Sequence, residues 1–176
     1  MRSPAGRRGD RCTSGPMSGR VAGVAADSKS WLRGCRIAPG SRGRHDDGML
    51  SDLASELLAA PNFATVATLN ADGSVHQSVV WVDTQDEDVV FSTLRGRVKE
   101  KNLLRDPRIS LLVMDKDNPY RFVAIRGTAT LEDEGTSELI QAMAQKYTGQ
   151  PWQEKAPDVQ RVNVVIHVDR CVDYKP

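Results

Sequence analysis

Six runs between residues 63 and 174 have the length and composition of β-strands, and they leave little choice of architecture: FATVATL (63–69), VHQSVVWV (75–82), VVFST (89–93), ISLLVM (109–114), YRFVAIRGTATL (120–131) and RVNVVIHVDRCVDY (161–174). The first two flank Asn70-Ala-Asp-Gly73, a hairpin signal. The polar turn DTQDED (83–88) leads into the third run, so the first three are expected as an antiparallel meander. Three helices fall among the strands. Ser51 caps one that carries Leu53, Leu57 and Leu58 on one face and stops at Pro61. Residues 97–105 read as a second, which must end before Pro107. The third runs from about Glu134 to Tyr147, with Leu139, Ile140, Met143 and Ala144 on one side. Gly127 marks a bend or bulge in the long fifth run, and Val162, Val164, Ile166 and Val168 of the last run point inward. None of these elements is ordered as strand–helix–parallel strand. The pattern therefore predicts a mainly β chain with inserted helices, a six-stranded antiparallel barrel rather than a doubly wound sheet.

Residues 1–48 differ in kind. They hold nine of the fourteen glycines and, as large hydrophobes, only Trp31, Leu32 and Ile37. So little apolar area cannot offset the chain entropy lost on folding, and the segment is expected to be disordered, leaving 49–176 as the folded domain. Its ten Lys and Arg against four Asp give a net charge of +6, against −5 for residues 49–176. Translation that begins near Met49 is one reading of this segment, and a basic arm on nucleic acid or a membrane surface is the other. A net negative folded part with few aromatics for base stacking argues against nucleic acid as a partner. Cys12, Cys35 and Cys171 form no C-x-x-C pair and have no zinc-ligand spacing, so neither a disulfide framework nor a metal site is expected. The longest apolar run near the N-terminus, Val21 to Ala26, is broken by Gly23 and is too short for a signal core or a membrane span. Cysteine usage and this absence together point to the cytoplasm.

One stretch stands out against the acidic balance of the folded part. LRGRVKEKNLLRDPR (94–108) places six basic residues among fifteen, where a strand ends and a helix begins. Backbone N–H groups at a helix start, the hydroxyls of Ser92 and Thr93, and the charges of Arg97 and Lys99 together form an anion site suited to phosphate. A solvated helix face is the competing reading, since Arg97, Lys101 and Arg105 recur every four residues with Glu100 near enough to pair.

The order VVFSTLRGRVKEKNLLRDPRISLLV, followed by DNPYRFVAIRGTATL, resembles the pyridoxamine 5'-phosphate oxidase-like split-barrel flavoproteins, and within them the actinobacterial branch of oxidoreductases that use the deazaflavin coenzyme F420. The resemblance covers residues 51 to 174. It implies an FMN-binding-type split β-barrel, a homodimer with cofactor bound between subunits, and hydride transfer between reduced F420 and an unsaturated small-molecule substrate. It also implies roles for residues. Ser92 and Thr93 match the strand end that touches the cofactor tail, Arg97, Val98 and Lys99 the phosphate-binding segment, and Gln77, Ser78, Val79, Val80 and Trp81 the strand that lines the ring. The true oxidases carry an Arg and, five residues on, a Lys for the flavin phosphate, where this chain has Gln77 and Val82. Losing both charges disfavours FMN and favours the deazaflavin, whose long anionic tail suits the spread of Arg95, Arg97, Lys99 and Lys101, with Arg121 or Arg126 able to add to it.

An FMN-dependent enzyme acting on a pyridoxamine-phosphate-like substrate and a non-catalytic F420-binding protein remain as alternatives. No residue is singled out as a general acid. His76 and His167 alternate with apolar neighbours as ordinary sheet histidines do, and Tyr120 and Tyr147 are proton donors that no spacing selects. Trp81 suits either ring stacking or core packing, and Trp152 either covers a substrate pocket or packs its own loop.

Overall fold

The computed structural model describes residues 44, 45, 48–154 and 158–175, and the expectation of disorder before Met49 lies almost wholly outside them. The elements, in order, are β1 (Arg44–His45), α1 (Asp52–Ala59), β2 (Ala64–Leu69), β3 (Val75–Val80), β4 (Asp83–Gln85), β5 (Asp88–Leu94), α2 (Val98–Arg105), β6 (Arg108–Met114), β7 (Phe122–Glu132), α3 (Thr136–Thr148) and β8 (Arg161–Tyr174). All strand pairs are antiparallel, in the order β3-β2-β6-β7-β8-β5-β4, with two-residue β1 added beside the C-terminal end of β8.

Several local expectations hold. Ser51 caps α1 by accepting a hydrogen bond from the Ala54 amide at 3.0 Å, and its hydroxyl donates to buried Asp173 at 2.5 Å, which ties the helix start to the end of β8. The β2–β3 hairpin turns through Gly73 at φ +82°, with the Asp72 carboxylate accepting from the Ser74 amide and hydroxyl. At Gly127 the β7–β8 register shifts, so that Asp169 of β8 has no opposite residue. A Cβ on Gly127 would sit 2.2 Å from the His167 carbonyl oxygen, and only glycine permits that approach.

Two expectations fail. The sheet has seven strands on its main path rather than six, although its ends β3 and β4 do not pair, so the barrel is split as the resemblance implies. The additional strand, β4, lies in the stretch read as a polar turn. It is a three-residue edge strand with no large apolar residue, so no hydrophobic alternation announces it. The meander also breaks: β3 pairs only with β2, and β5 pairs with β8 and β4. Between β3 and β4 the chain crosses from one edge of the sheet to the other through Trp81 and Val82, and Val82 is fully buried in the core. That buried pivot outweighs the tendency of successive strands to be neighbours.

The core fills the barrel with Val66, Val89, Phe91, Leu111, Ile125, Val164 and Ile166, and α1 adds Leu53, Leu57 and Leu58. β8 does not keep a simple in–out alternation, because every residue from Val162 to Ile166 is buried. Its second face, together with Val90 of β5, lies under α3, whose Ile140, Met143 and Ala144 are buried.

Candidate functional site

The split in the barrel leaves a cavity of about 630 Å³ between the end of β3, the ends of β5 and β8, the start of α2 and one side of α3. Its volume falls within the ~300–1,000 Å³ usual for small-molecule sites. Seven of the ten cofactor residues expected from sequence line it: Val79, Val80, Trp81, Ser92, Thr93, Arg97 and Lys99. Gln77 lies exposed on the outer face of β3, Ser78 is half-buried with no hydrogen-bond partner for its hydroxyl, and Val98 is half-exposed at the first position of α2. None of these three lines the cavity. Position along the strand explains the first two: Gln77 and Ser78 share their faces with Val79 and Val80 respectively but lie one step further back, and only the end of β3 reaches the cavity.

Local chemistry fixes the basic corner. Gly96 takes φ +81° as β5 turns into α2. Glu100, buried at 4 % exposure, reaches back to accept from the Gly96 amide at 3.1 Å and from Arg95 at 3.2 Å. The helix start is therefore partly satisfied by its own carboxylate, and the anion site rests more on side chains than on free amides. Arg95 also pairs with Asp133 and is withdrawn from the cavity. Among the described residues no carboxylate pairs with Arg97 or Lys99. Burial, and then the neighbouring Arg97 charge, push the Lys99 pKa below its ordinary value. Two neighbouring cations without a paired carboxylate give this corner a positive potential that a nearby anion would relieve.

The rest of the basic stretch has other employment. Lys101 is exposed and off the cavity. Arg105 bonds to the Leu69 carbonyl and to Asn102, and Arg108 forms a two-pronged pair with Asp106, which holds that carboxyl at about 2. Arg121 pairs with Asp115 and Glu56. Arg126 lines a separate depression of about 390 Å³ on the outer face, beside Arg108 and Ser110.

Aromatic rings form the opposite wall. Trp81 stacks on Tyr147 at 5.1 Å with 10° between planes, and Trp152 meets Trp81 edge-on at 5.9 Å. Trp152 thus lines the cavity, whereas the Tyr147 hydroxyl is engaged elsewhere. It donates to the Asn62 carbonyl at 2.6 Å and accepts from the Val82 amide at 3.0 Å, and burial pushes its pKa up, so it is a brace rather than a proton donor. His167 pairs with Asp88 away from the cavity, and Tyr120 is exposed on a distant loop. Sequence reasoning missed Phe63, Leu94, Ile140, Met143, Glu154, Val159 and Arg161 of the lining. Ile140 and Met143 belong to an apolar helix face that reads as core, and Arg161 is a lone cation at the head of an apolar strand. Only the pairing of Leu94 with Arg161 brings that arginine to the site.

Among the described residues no cluster of His, Cys, Asp or Glu is arranged to hold a metal, and no helix is long and apolar enough to cross a membrane. No curated protein matches the chain. Its structure is similar to that of an F420 reductase, at 27 % identity and a TM-score of 0.59 over 65 % of this chain and 91 % of that one. The conserved protein Rv2991 of Mycobacterium tuberculosis is similar at 25 % identity and a TM-score of 0.61, over 76 % of this chain and 89 % of that one. HupZ of group A Streptococcus, 20 % identical with a TM-score of 0.55 over 71 % and 94 % of the two chains, shares the fold. The family model described as pyridoxamine 5'-phosphate oxidase matches residues 50–174, the whole of the split barrel with its cavity, and the chain belongs to that family.

Proposed function

We propose that this protein is a homodimeric oxidoreductase that binds coenzyme F420 and exchanges a hydride with an unsaturated small molecule in the cytoplasm, with neither nucleic acid nor membrane as partner. The observation that carries the reading is the meeting of Arg97 and Lys99, neither paired with a described carboxylate, with Ser92 and Thr93 on one cavity walled by Trp81. Two cations and two hydroxyls suit the oxyanions of a cofactor tail, and the flat indole wall suits a ring system. When bound, reduced F420 supplies the hydride. The chain's own part is to hold the tail, orient the ring and exclude water.

Similarity to an F420 reductase supports the deazaflavin. So does Val82, which is fully buried where the flavin-phosphate lysine of the true oxidases would stand, with its carbonyl bonded to Lys146 at 2.9 Å. That position offers no cation to a phosphate monoester. The homodimer is supported by the outer sheet face, where Val75, Val79, Leu112 and Met114 are 38 % to 64 % exposed. Val79 and Leu112 both pair with Thr65 across the strands, so they share one row. An apolar face of that kind marks an interface. FMN is the second reading, favoured by the family itself, since Arg97 and Lys99 suit a single phosphate as well. Equilibrium titration of one preparation with F420 and with FMN tests the choice. Tighter binding of F420 is expected; protein that purifies yellow with one FMN per subunit, or that binds neither, refutes it.

A further inference from the structure

Arg161 opens β8 directly opposite Leu94, on the side of the sheet that faces the cavity. Its side chain is only 13 % exposed and is held from three directions. Nε donates to Glu154 at 2.7 Å, a terminal nitrogen lies 3.5 Å from the Ser92 hydroxyl, and the guanidinium stands 4.7 Å from the centroid of the Trp152 ring. Trp152 is itself fixed, because its backbone amide and carbonyl exchange hydrogen bonds with the Gln141 side chain at 2.9 and 3.0 Å. The indole N–H donates to the same Glu154 oxygen at 3.1 Å.

This arrangement is asymmetric. The arginine is anchored on a central strand and stands over an indole, whereas Glu154 sits in the connection after α3, its side chain 33 % exposed. Glu154 is also the one carboxylate on a described lining that carries Arg97, Lys99 and Arg161. A guanidinium offers a fork of donors, and Glu154 engages it through Nε, leaving the other nitrogen of the fork without a described acceptor.

We infer that Arg161 is a third oxyanion-binding residue of the cavity and that Glu154 is its internal competitor, holding the guanidinium until a phosphate or carboxylate oxygen of the bound molecule replaces it. Ser92, already within reach of Arg161, links this position to the corner formed by Arg97 and Lys99, so one anionic tail spans both. The inference rests on the cavity being the ligand site proposed above, though not on which cofactor fills it. It assigns the protein a built-in threshold: a ligand with one anionic group gains the corner, and only one with a second gains Arg161 by displacing Glu154.

Calorimetric titration of the full chain with inorganic pyrophosphate and with F420 tests it on the wild type, Arg161→Gln and Glu154→Gln. The Gln variant at 154 keeps the shape of the side chain and one oxygen able to accept from Arg161 and Trp152, while removing the competing charge. Arg161→Gln is expected to weaken both ligands by about tenfold or more, as loss of a charge-assisted hydrogen bond does. Glu154→Gln is expected to tighten both by several-fold, a sign that a merely structural ion pair would not produce. Glu154→Gln binding that is unchanged or weaker, or Arg161→Gln binding equal to wild type, overturns the inference. Should the wild type bind neither F420 nor FMN while the pyrophosphate pattern holds, the cofactor reading falls and the inference about Arg161 stands.

Discussion

Replacing Lys99 by alanine tests the basic corner most directly. Lys99 lies in the first turn of α2, half-buried on the cavity wall, with its pKa lowered first by desolvation and then by Arg97. Its charge is thus held at a disadvantage in the free protein, and an oxyanion brought close removes that disadvantage. A charge-assisted hydrogen bond contributes ~1.5–3 kcal/mol. The Coulomb attraction at ~4 Å with an effective dielectric of ~20 sets a ceiling of ~4 kcal/mol. Partial exposure to water and the remaining charge of Arg97 lower the loss to about 2 kcal/mol, roughly thirtyfold in Kd. Lys101, two residues on, is exposed and off the cavity, so Lys101→Ala should change Kd less than about twofold. Fluorescence titration of F420 at two salt concentrations reads both variants. Ligand binding raises the Lys99 pKa from its lowered value, so affinity should be fully present below that value and fall as pH rises through it, and Lys99→Ala should lose this dependence. Equal effects of the two substitutions, or none from Lys99→Ala, would refute the placement of the anion at this corner.

Further outcomes follow from single contacts. Gly127→Ala would push a methyl group into the His167 carbonyl and the Ile166 side chain, at 2.2 and 2.9 Å, and should cost about 3 kcal/mol, roughly 10 °C in Tm; a thermal shift under 3 °C would show that β8 can retreat. Tyr147→Phe removes the hydroxyl that braces Asn62 and Val82, so chemical denaturation should show a loss of about 1–2 kcal/mol with kcat unchanged. A tenfold fall in kcat would return that tyrosine to the chemistry. Leu112→Glu places a charge in the exposed apolar row of the outer face and should yield a monomer by light scattering. An unaltered dimer would move the interface elsewhere.

What was legible in the sequence is what short range decides. Asn70-Ala-Asp-Gly73, Ser51 before Leu53 and Gly127 within a long strand each announce a backbone requirement that only their residue types meet, and each is found where expected. β4 was not legible, because a three-residue edge strand buries nothing and so carries no pattern. Neither was the path of β5, whose pairing with β8 is set by burial of Val82 and Phe91 in a shared core rather than by any turn. At the site, Ser92, Thr93, Arg97 and Lys99 were legible because one strand end and the helix after it supply all four. Arg161 and Glu154 come from more than fifty residues further along, and only the register of β5 against β8 decides that they arrive.

The same logic explains why the cavity sits where it does. A closed barrel has no edge and fills its interior with side chains, but here the chain leaves β3 at one end of the sheet and returns at the other, through Trp81 and Val82. The sheet is left with two edges that do not pair with one another, and the cavity is lined by what the nearby strand ends carry. At β3 that is Val79, Val80 and Trp81, and at β5 it is Ser92 and Thr93 with the basic turn beyond. A flat apolar wall therefore stands opposite hydroxyls and cations because of where the barrel splits. The exposed row of Val79 and Leu112 continues from the apolar wall onto the outer face, so a partner seated on that face would border the cavity. Dimerisation and ligand binding would then be coupled through Val79, which serves both surfaces, and Val79→Asp should weaken the two together.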